Sequence, residues 1–491
     1  MMNQNLDLTH EDFQRLLDKG ISLVMRQFEQ MYQQKAYHAF PPQDVAKWFD
    51  EPVPHKGMDL DELLGEVKEK VMDTATGNLG PHMYAYVMAG GTQVSIVAEQ
   101  LAATINQNVT KWHLAPILSE IEKRVVKWGA EMMGIPGEVG GVFTSGGSSA
   151  NLAGLTVARN IFFERKEIRK KGLFGQNPFR VYASKEVHGC VDKSLELLGI
   201  GTDHLCKVDT NADYTINLEM LEAQILSDLA SGFQPFCIVG TAGTVNTGAI
   251  DDLVGLHRLA KKYDLWFHID GAYGGLVAGL DSLKEAYKGI ELADSLAVDF
   301  HKWLYQPFEA GCLIVKDWQT LRRAYFKQAD YLDTSLETDE GRLDFNEHYF
   351  QLSRNAKAFK VWMSLKAYGS QAMKGMIQKD IDLAQYLADR VEEAPDFELQ
   401  ARSDLAIACF RYTGDLTSES DIIDLNERLI PALEADGRVF ITGTRLKGTF
   451  ALRACLINHR KTEATTDYLL AVIREVGQKI RKSSSELHKQ A

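Results

Sequence analysis

A lysine follows an apolar run in the second half of the chain, within the segment DFHKWL that begins at Asp299. Most lysines are solvated surface groups. An amine enclosed at the end of a buried strand is instead a nucleophile suited to carbonyl groups. Lys302 is therefore a candidate for covalent chemistry with a carbonyl compound, and an ordinary surface lysine is the alternative.

A carboxylate, Asp270, ends a second apolar run within the segment HIDGAYGG. Burying it costs free energy unless a cation or several hydrogen-bond donors pair with it. Asp270 fits an acid that keeps a proton on a ring nitrogen, and the small Ala272 leaves room for a flat group. An aspartate that caps a turn fits the same pattern.

Glycines and serines separate a third apolar run from a helical pattern, in the segment TSGGSSA that begins at Thr144. Glycines allow close approach to a ligand, and amides at a helix N-terminus attract anions. Gly147 and Ser148 are therefore candidates for holding a phosphate, unless the segment is only a glycine turn with a serine cap. It matches neither a Walker nucleotide loop nor the G-x-G-x-x-G fingerprint.

A fourth candidate is His188, which follows a strand predicted at 179–183 and also fits a purely structural role. A phosphate cradle, a flat-ring contact, a carboxylate for a ring nitrogen and a reactive amine are together what pyridoxal 5′-phosphate requires. The four segments fit that single cofactor better than four unrelated structural roles.

The elements that must position these residues alternate in type between about residues 80 and 370. Strands are predicted at 141–144, 179–183, 236–240 and 265–269, and helices at 150–165 and 252–263. This order predicts an α/β fold with a large, mainly parallel sheet covered on both faces. In such sheets ligands bind beyond the carboxyl ends of the strands, where the four segments lie.

Three domains are predicted from the change of pattern along the chain. Residues 1–75 form an N-terminal helical segment with little core of its own, residues 76–375 the large sheet domain, and residues 376–491 a smaller α+β domain with strands at 405–410 and 449–453.

Composition excludes several classes of protein. The 491 residues are 45% hydrophobic, which excludes intrinsic disorder, and the net charge of -13 disfavours nucleic-acid binding. The six cysteines are scattered without a C-x-x-C pair, which argues against a disulfide scaffold or a metal site. We find no secretory signal and no run of apolar residues long enough to span a membrane, so a cytoplasmic protein is expected.

The order of the motifs resembles that of the pyridoxal-phosphate-dependent group II amino-acid decarboxylases. This family includes aromatic-amino-acid, tyrosine, glutamate, histidine and diaminobutyrate decarboxylases. The matching segments, over roughly residues 75–460, are TSGGSSANL, SKEVHGC, GTVNTGAID, HIDGAYGG, DFHKWL and ALRACLINHR. The resemblance implies the fold-type I, transferase-like fold and a homodimer with active sites at its interface. It also implies that the N-terminal segment wraps the partner subunit.

The resemblance implies a reaction and the residues that serve it. Lys302 forms a Schiff base with the cofactor, Asp270 pairs with the ring nitrogen, and His188 and Ala272 lie on opposite faces of the ring. The expected reaction removes the carboxylate of an L-amino acid as CO2, through a quinonoid intermediate, and leaves the amine.

The phosphate is expected at Gly147 and Ser148, with help from His301 and Asp299. Two of the cofactor residues depart from the family pattern. Asp299 is a poorer partner for a phosphate dianion than asparagine, unless its charge is offset. Val245 stands where a threonine contacts the ring, so one hydrogen bond to the cofactor is lost.

A third departure bears on the product. An ungapped alignment through Tyr331 and Lys360 places Phe345 where aromatic-amino-acid decarboxylases carry a tyrosine that supplies a proton to the reacting carbon. In plant relatives phenylalanine at this position goes with oxidative formation of an aldehyde. His348 or Tyr349 are alternative donors, so amine formation is the main expectation and aldehyde formation the second.

The substrate is less well determined than the reaction. Tyr86 and Trp112 match positions that line the side-chain pocket and favour an aromatic or other bulky side chain, although both residues also fit simple packing. The neighbouring segment 87–89 differs from the aromatic-specific pattern. An aminotransferase on the same fold and a non-enzymatic α/β scaffold are the other hypotheses.

Overall fold

A computed structural model describes residues 6–327 and 341–490, with side chains described as far as residue 483. The chain divides into two compact units. Unit 1 contains the described residues up to Met88, Tyr386–Gln400 and the residues from Cys409 onward; unit 2 contains Ala89–Gln385 and Ala401–Ala408. The three predicted domain boundaries stay a prediction.

The helices of the described residues span the following ranges, in chain order: α1 His10–Gln30, α2 Pro42–Trp48, α3 Leu60–Glu66, α4 Gln93–Ile105, α5 Pro116–Met132, α6 Gly147–Phe162, α7 Ile168–Lys171, α8 Cys190–Leu197, α9 Leu218–Ala230, α10 Leu253–Lys262, α11 Phe300–Trp303, α12 Trp318–Tyr325, α13 Lys357–Glu393, α14 Glu419–Asp436 and α15 Glu463–Gln490. Gly369, with φ of 78°, interrupts α13.

The strands span β1 Gly140–Thr144, β2 Phe179–Ser184, β3 Leu205–Val208, β4 Gln234–Thr241, β5 Trp266–Gly271, β6 Ser295–Asp299, β7 Gly311–Val315, β8 Phe397–Arg402, β9 Ile407–Tyr412, β10 Thr442–Leu446 and β11 Thr449–Cys455. A seven-stranded sheet has the order β1-β7-β6-β5-β4-β2-β3, in which only β7 runs antiparallel to its neighbours. A four-stranded sheet has the order β10-β11-β9-β8. The predicted fold class is thereby confirmed.

Helices cover both faces of the large sheet, as alternate side chains of β4 illustrate. Cys237 and Val239 pack in a buried cluster with Leu155 of α6 and with α8. Gly240 faces the other way, where a Cβ atom would lie 2.8 Å from Leu256 of α10. Because both faces are covered, the strands are continuous apolar runs in the sequence.

Local sequence explains where several of these helices begin. The side chain of Asp252 accepts the Gly255 N–H and caps α10, and the side chain of Asn217 accepts the Met220 N–H and caps α9. Side-chain caps of this kind satisfy amides that a helix leaves without an internal acceptor. Helix α6 differs, because Gly146 precedes it and no described side chain caps it.

Among the described residues, no helix combines the length and the apolar character that crossing a membrane requires.

Candidate active site

The register of the large sheet brings three strand ends to one edge. The neighbouring parallel strands β5 and β6 carry Asp270 and Asp299 at their carboxyl ends. Strand β7 begins at this edge with Gly311, which pairs with Asp299 on one side and with Thr144, the last residue of β1, on the other. The segments that follow β1, β5 and β6 therefore meet, as ligand sites in such sheets require.

Lys302 lies on the short helix α11 beside Asp299. Its Nζ atom is 3.0 Å from Asp299 Oδ2, and the Asp299 side chain is 3% exposed. His301 Nε2 is 3.5 Å from the same oxygen, while the Ala310 N–H donates to His301 Nδ1 at 3.3 Å. Burial lowers the pKa of His301, so this ring is neutral near neutral pH and its proton on Nε2 faces Asp299.

The N-terminus of α6 meets this cluster at Gly147. A Cβ atom on Gly147 would lie 2.7 Å from Ala272 Cβ and 2.8 Å from Asp299 Oδ2, so a larger residue does not fit. The first amides of the helix have no acceptor within it and no side-chain cap among the described residues, and Ser148 is exposed beside them. This helix end is therefore suited to an anion.

Asp270 stands on the β5 side of the same edge and is 5% exposed. Its Oδ1 accepts the Ala272 N–H at 3.1 Å, and its Oδ2 lies 4.0 Å from the thiol of Cys190. Cys190 is the first residue of α8, and its own N–H donates to Nδ1 of the exposed His188 at 3.2 Å. The structure thus joins His188 to Asp270 through Cys190.

Val245 lies on the turn after β4 and is half-buried. On one side Thr244 uses its hydroxyl to accept an N–H within the turn at 3.0 Å. On the other side Asn246 donates to Glu186 at 3.0 Å, which ties the turn to the segment that carries His188. Contact between Val245 and a cofactor ring stays a prediction.

Phe345 belongs to the hydrophobic core of unit 2. Its ring is 0% exposed, contacts Trp318 edge-on at 6.1 Å between centroids and lies 4.5 Å from the Arg354 guanidinium carbon. His348 and Tyr349 are also buried. A role for Phe345 in setting the product stays a prediction, and Tyr331 lies outside the described residues.

The two aromatic residues expected at the substrate pocket belong to different units. In unit 1 the side chain of Tyr86 is 60% exposed and contacts Phe440 edge-on. In unit 2 Trp112 is half-buried, its indole N–H donates to Glu120 at 3.0 Å, and Arg342 lies over its ring. A shared pocket for these residues stays a prediction.

The sequence did not single out Cys190 or Asn151, although both contact the cluster. Asn151 Nδ2 donates to the Gly147 carbonyl at 2.9 Å and to Cys190 Sγ at 3.5 Å. Asn151 is four residues after Gly147, so helical spacing alone places both on one face of α6. The contact with Cys190 depends on the packing of α6 against α8, which no local pattern reports.

The residues present fit pyridoxal 5′-phosphate. An uncapped helix end beside a glycine cradle suits its phosphate, and Ala272 leaves the space that a flat ring needs. Asp270 is a buried carboxylate for a ring nitrogen, and Lys302 is the amine at the end of the next strand. In addition, Asp299 Oδ1 is buried without a hydrogen-bond partner among the described residues, which marks an incomplete polar site.

Comparison with known proteins agrees with this geometry. The family model described as the pyridoxal-dependent decarboxylase conserved domain matches residues 42–413. The chain is 31% identical to an aromatic-L-amino-acid decarboxylase of Bacillus atrophaeus, over 97% of each chain. It is 28% identical to a phenylacetaldehyde synthase of Arabidopsis thaliana, over 86% of each chain.

Solved structures share the fold. A crystal structure of Oryza sativa TDC with PLP and tryptamine superposes with a TM-score of 0.90, at 23% identity, over 98% of this chain and 100% of that chain.

Proposed function

The chain belongs to the pyridoxal-dependent decarboxylase family, and we propose that its substrate is an L-amino acid with an aromatic or other bulky side chain. The chain is a carboxy-lyase that uses pyridoxal 5′-phosphate to decarboxylate an amino acid. The proposed products are the amine and CO2. The observation that carries the proposal is the meeting of Lys302, Asp270 and the uncapped end of α6 at one sheet edge.

The cofactor, when bound, supplies an electron sink for the electron pair that the departing CO2 leaves behind. Lys302 supplies the amine that anchors it. Asp270 holds a proton on the ring nitrogen, and its Oδ1 is kept in place by the Ala272 N–H. His188 and Ala272 would hold the two faces of the ring.

The phosphate is assigned to the amides at Gly147 and Ser148, with the Nε2 proton of His301 nearby. Asp299 has two functions in this proposal. It neutralises the Lys302 ammonium, from which its Oδ2 is 3.0 Å away. It also orients the His301 ring, whose other nitrogen is occupied by a backbone N–H. In the apo protein the negative charge of Asp299 is thereby balanced by the lysine.

The test of the cofactor assignment is spectroscopic. The purified protein with added cofactor should absorb visible light, and reduction with borohydride should fix the cofactor to the peptide that contains Lys302. Lys302→Ala should abolish the band, whereas Lys284→Ala, at an exposed lysine, should leave it unchanged. A colourless wild-type protein, or a label on another peptide, would refute the proposal.

The substrate class is supported by the named activity of the Bacillus relative and by the aromatic residues Tyr86 and Trp112. A panel of L-amino acids assayed together for CO2, amine and peroxide tests it. Tryptophan, tyrosine and phenylalanine should release CO2 faster than aspartate or glutamate. Faster release from an acidic or a small amino acid would contradict the aromatic assignment.

A second candidate function is oxidative formation of the aldehyde. One observation favours it: one relative is a phenylacetaldehyde synthase. The alignment also places Phe345 at the position that goes with aldehyde formation, but its ring is buried in the core of unit 2. In this reaction the amino acid, O2 and water give the aldehyde, CO2, ammonia and hydrogen peroxide. Oxygen uptake with peroxide release in the same panel supports the aldehyde, and amine without peroxide supports decarboxylation alone.

A homodimer is also proposed. Helix α1 has no buried residue, and it exposes the apolar side chains of Phe13, Ile21, Val24 and Met25. Apolar surface of this kind is covered in oligomers. Sedimentation should give twice the mass of the chain, and removal of residues 1–30 should shift it toward the monomer. The cytoplasmic location stays a prediction.

A further inference from the structure

A row of polar side chains linked by hydrogen bonds lies next to the proposed cofactor residues in unit 2. Trp266 Nε1 is 2.9 Å from Ser295 Oγ, which is 2.8 Å from His268 Nδ1. His268 Nε2 is in turn 2.8 Å from Asn151 Oδ1. The side chains of Ser295, His268 and Asn151 are at most 1% exposed, so their hydrogen bonds are made inside the protein and not with water.

The chemistry of the end groups determines the direction of every bond in this row. The Gly147 carbonyl can only accept, so the Asn151 NH2 group must face it and Asn151 Oδ1 must face His268. Because Oδ1 also only accepts, His268 carries its proton on Nε2. Burial lowers the pKa of His268 to about 4, so near neutral pH the ring is neutral and Nδ1 accepts a hydrogen bond from the Ser295 hydroxyl.

The opposite end is equally constrained. The Trp266 indole has only an N–H to offer, so Ser295 Oγ accepts from it and donates onward to His268. Each group therefore donates a hydrogen bond to the next in the order Trp266, Ser295, His268, Asn151. Asn151 in turn donates to the Gly147 carbonyl and to the Cys190 sulfur.

The packing leaves little freedom for the imidazole. A Cβ atom on Gly154 of α6 would lie 2.5 Å from His268 Cε1 and 2.8 Å from its Nδ1. A glycine at this position is what admits the ring between α6 and β5. His268 and Asp270 are two residues apart on β5, so both side chains project from the same face of the sheet.

The row ends at two groups that contact the cofactor residues. One is the Gly147 carbonyl, in the first turn of α6. The other is Cys190, whose thiol is 4.0 Å from Asp270 Oδ2 and whose N–H holds His188. Burial, followed by the nearby Asp270 carboxylate, raises the pKa of the Cys190 thiol, so this group stays protonated and can donate to the carboxylate.

We propose that Asn151, His268 and Cys190 are positioning residues: a one-directional hydrogen-bond chain from Trp266 holds Gly147, His188 and Asp270 in the arrangement that binds the cofactor. This inference rests on the proposed roles of those three residues.

The direction of the chain is tested without the cofactor. In protein labelled with nitrogen-15 at histidine, NMR distinguishes a proton on Nε2 from one on Nδ1, and His268→Gln identifies the signal. Wild-type protein should show His268 protonated on Nε2 at neutral pH. Asn151→Leu should move the proton to Nδ1, since Ser295 Oγ is then the remaining acceptor. A proton on Nδ1 in the wild type would overturn the proposal.

The positioning role is tested by the affinity of the apo protein for pyridoxal 5′-phosphate. Cys190→Ala should weaken binding about tenfold, which is the effect of one lost buried hydrogen bond. Cys190→Ser keeps a donor and should restore most of the affinity. Trp128→Phe, at a half-buried tryptophan of α5 outside the chain, is the matched control and should leave both the affinity and the His268 tautomer unchanged.

Two outcomes separate this inference from the proposed function. If Lys302→Ala abolishes the visible band while Cys190→Ala and Asn151→Leu bind the cofactor like the wild type, only the positioning role is wrong. If the wild type forms no band, the proposed function fails, and the His268 tautomer still tests the direction of the chain. Thermal unfolding of each apo variant identifies those that fail to fold. Should Asn151→Leu be one of them, Cys190→Ala still decides the positioning role.

Discussion

The ammonium of Lys302 lies 3.0 Å from the carboxylate of Asp299, which the fold buries at the end of β6. The same carboxylate is 2.8 Å from the position that a Cβ atom of Gly147 would occupy at the N-terminus of α6. One acid therefore serves as the partner of the lysine and borders the helix end that is suited to an anion. The charge that an anion meets at this helix end therefore depends on whether the Asp299 carboxylate or the Lys302 ammonium acts on it more strongly.

We expect Asp299→Asn to strengthen the binding of inorganic phosphate to the apo protein several-fold. The substitution removes a negative charge within a few ångströms of the helix end, where screening by water is weak. Isothermal titration of apo protein with phosphate measures the effect. The control is Asp281→Asn, at an exposed acid on unit 2, which should change nothing. Unchanged or weaker binding in Asp299→Asn would mean that the carboxylate does not face the anion.

Phe345→Tyr should lower the free energy of unfolding by about 1–3 kcal/mol, because its hydroxyl would be buried in an apolar cluster without a partner. The ratio of amine to aldehyde should stay unchanged, since packing holds this side chain in the core. Urea unfolding and product analysis measure the two quantities. A rise in amine at the expense of aldehyde would instead support the product-determining role suggested by the alignment.

Arg354→Met should destabilise unit 2 by about 3–5 kcal/mol. Arg354 and Glu122 form an ion pair in which both side chains are 1% exposed, so loss of the arginine leaves a buried charge without its counter-charge. Replacing Glu122 with leucine in the same protein should recover much of the loss. Arg428→Met, which breaks an exposed pair with Asp424, is the control and should cost less than about 1 kcal/mol. Equal costs in urea unfolding would contradict this account.

The stability of the protein should carry a pH-dependent contribution from Asp251. Burial raises the pKa of Asp251 to about 6, although the N–H groups of Ile216 and Thr241 donate to it at 2.7 and 2.8 Å. Because the folded-state pKa lies above the unfolded value, this contribution is complete below pH ~4 and is lost as the pH rises through about 6.

The comparison of wild type with Asp251→Asn isolates this contribution. Between pH ~4 and pH ~7 the wild type should lose about 3 kcal/mol of unfolding free energy relative to the variant, as expected for a shift of about two pKa units. Urea unfolding at several pH values gives the difference. A difference that does not change with pH would show that Asp251 does not titrate in this range.

Local patterns of residues are enough to predict the elements of the fold and the segments of the site. Short apolar runs followed by glycine, serine and acidic residues predict strands that end at a binding edge, and β1, β4 and β5 lie where these patterns predict them. Lys302 and Asp270 were recognisable for the same reason, since each follows such a run. These signals are local: they depend on neighbouring residues and on the alternation of side chains along a strand.

The contacts between side chains depend on tertiary packing. Asn151 and His268 are 117 residues apart, and Cys190 and Asp270 are 80 apart, so no periodicity reports either contact. The burial of Phe345 depends on Trp318 and Arg354, which come from separate elements. Local patterns establish which face of an element is buried, whereas the partner that covers this face is set by the packing of distant segments.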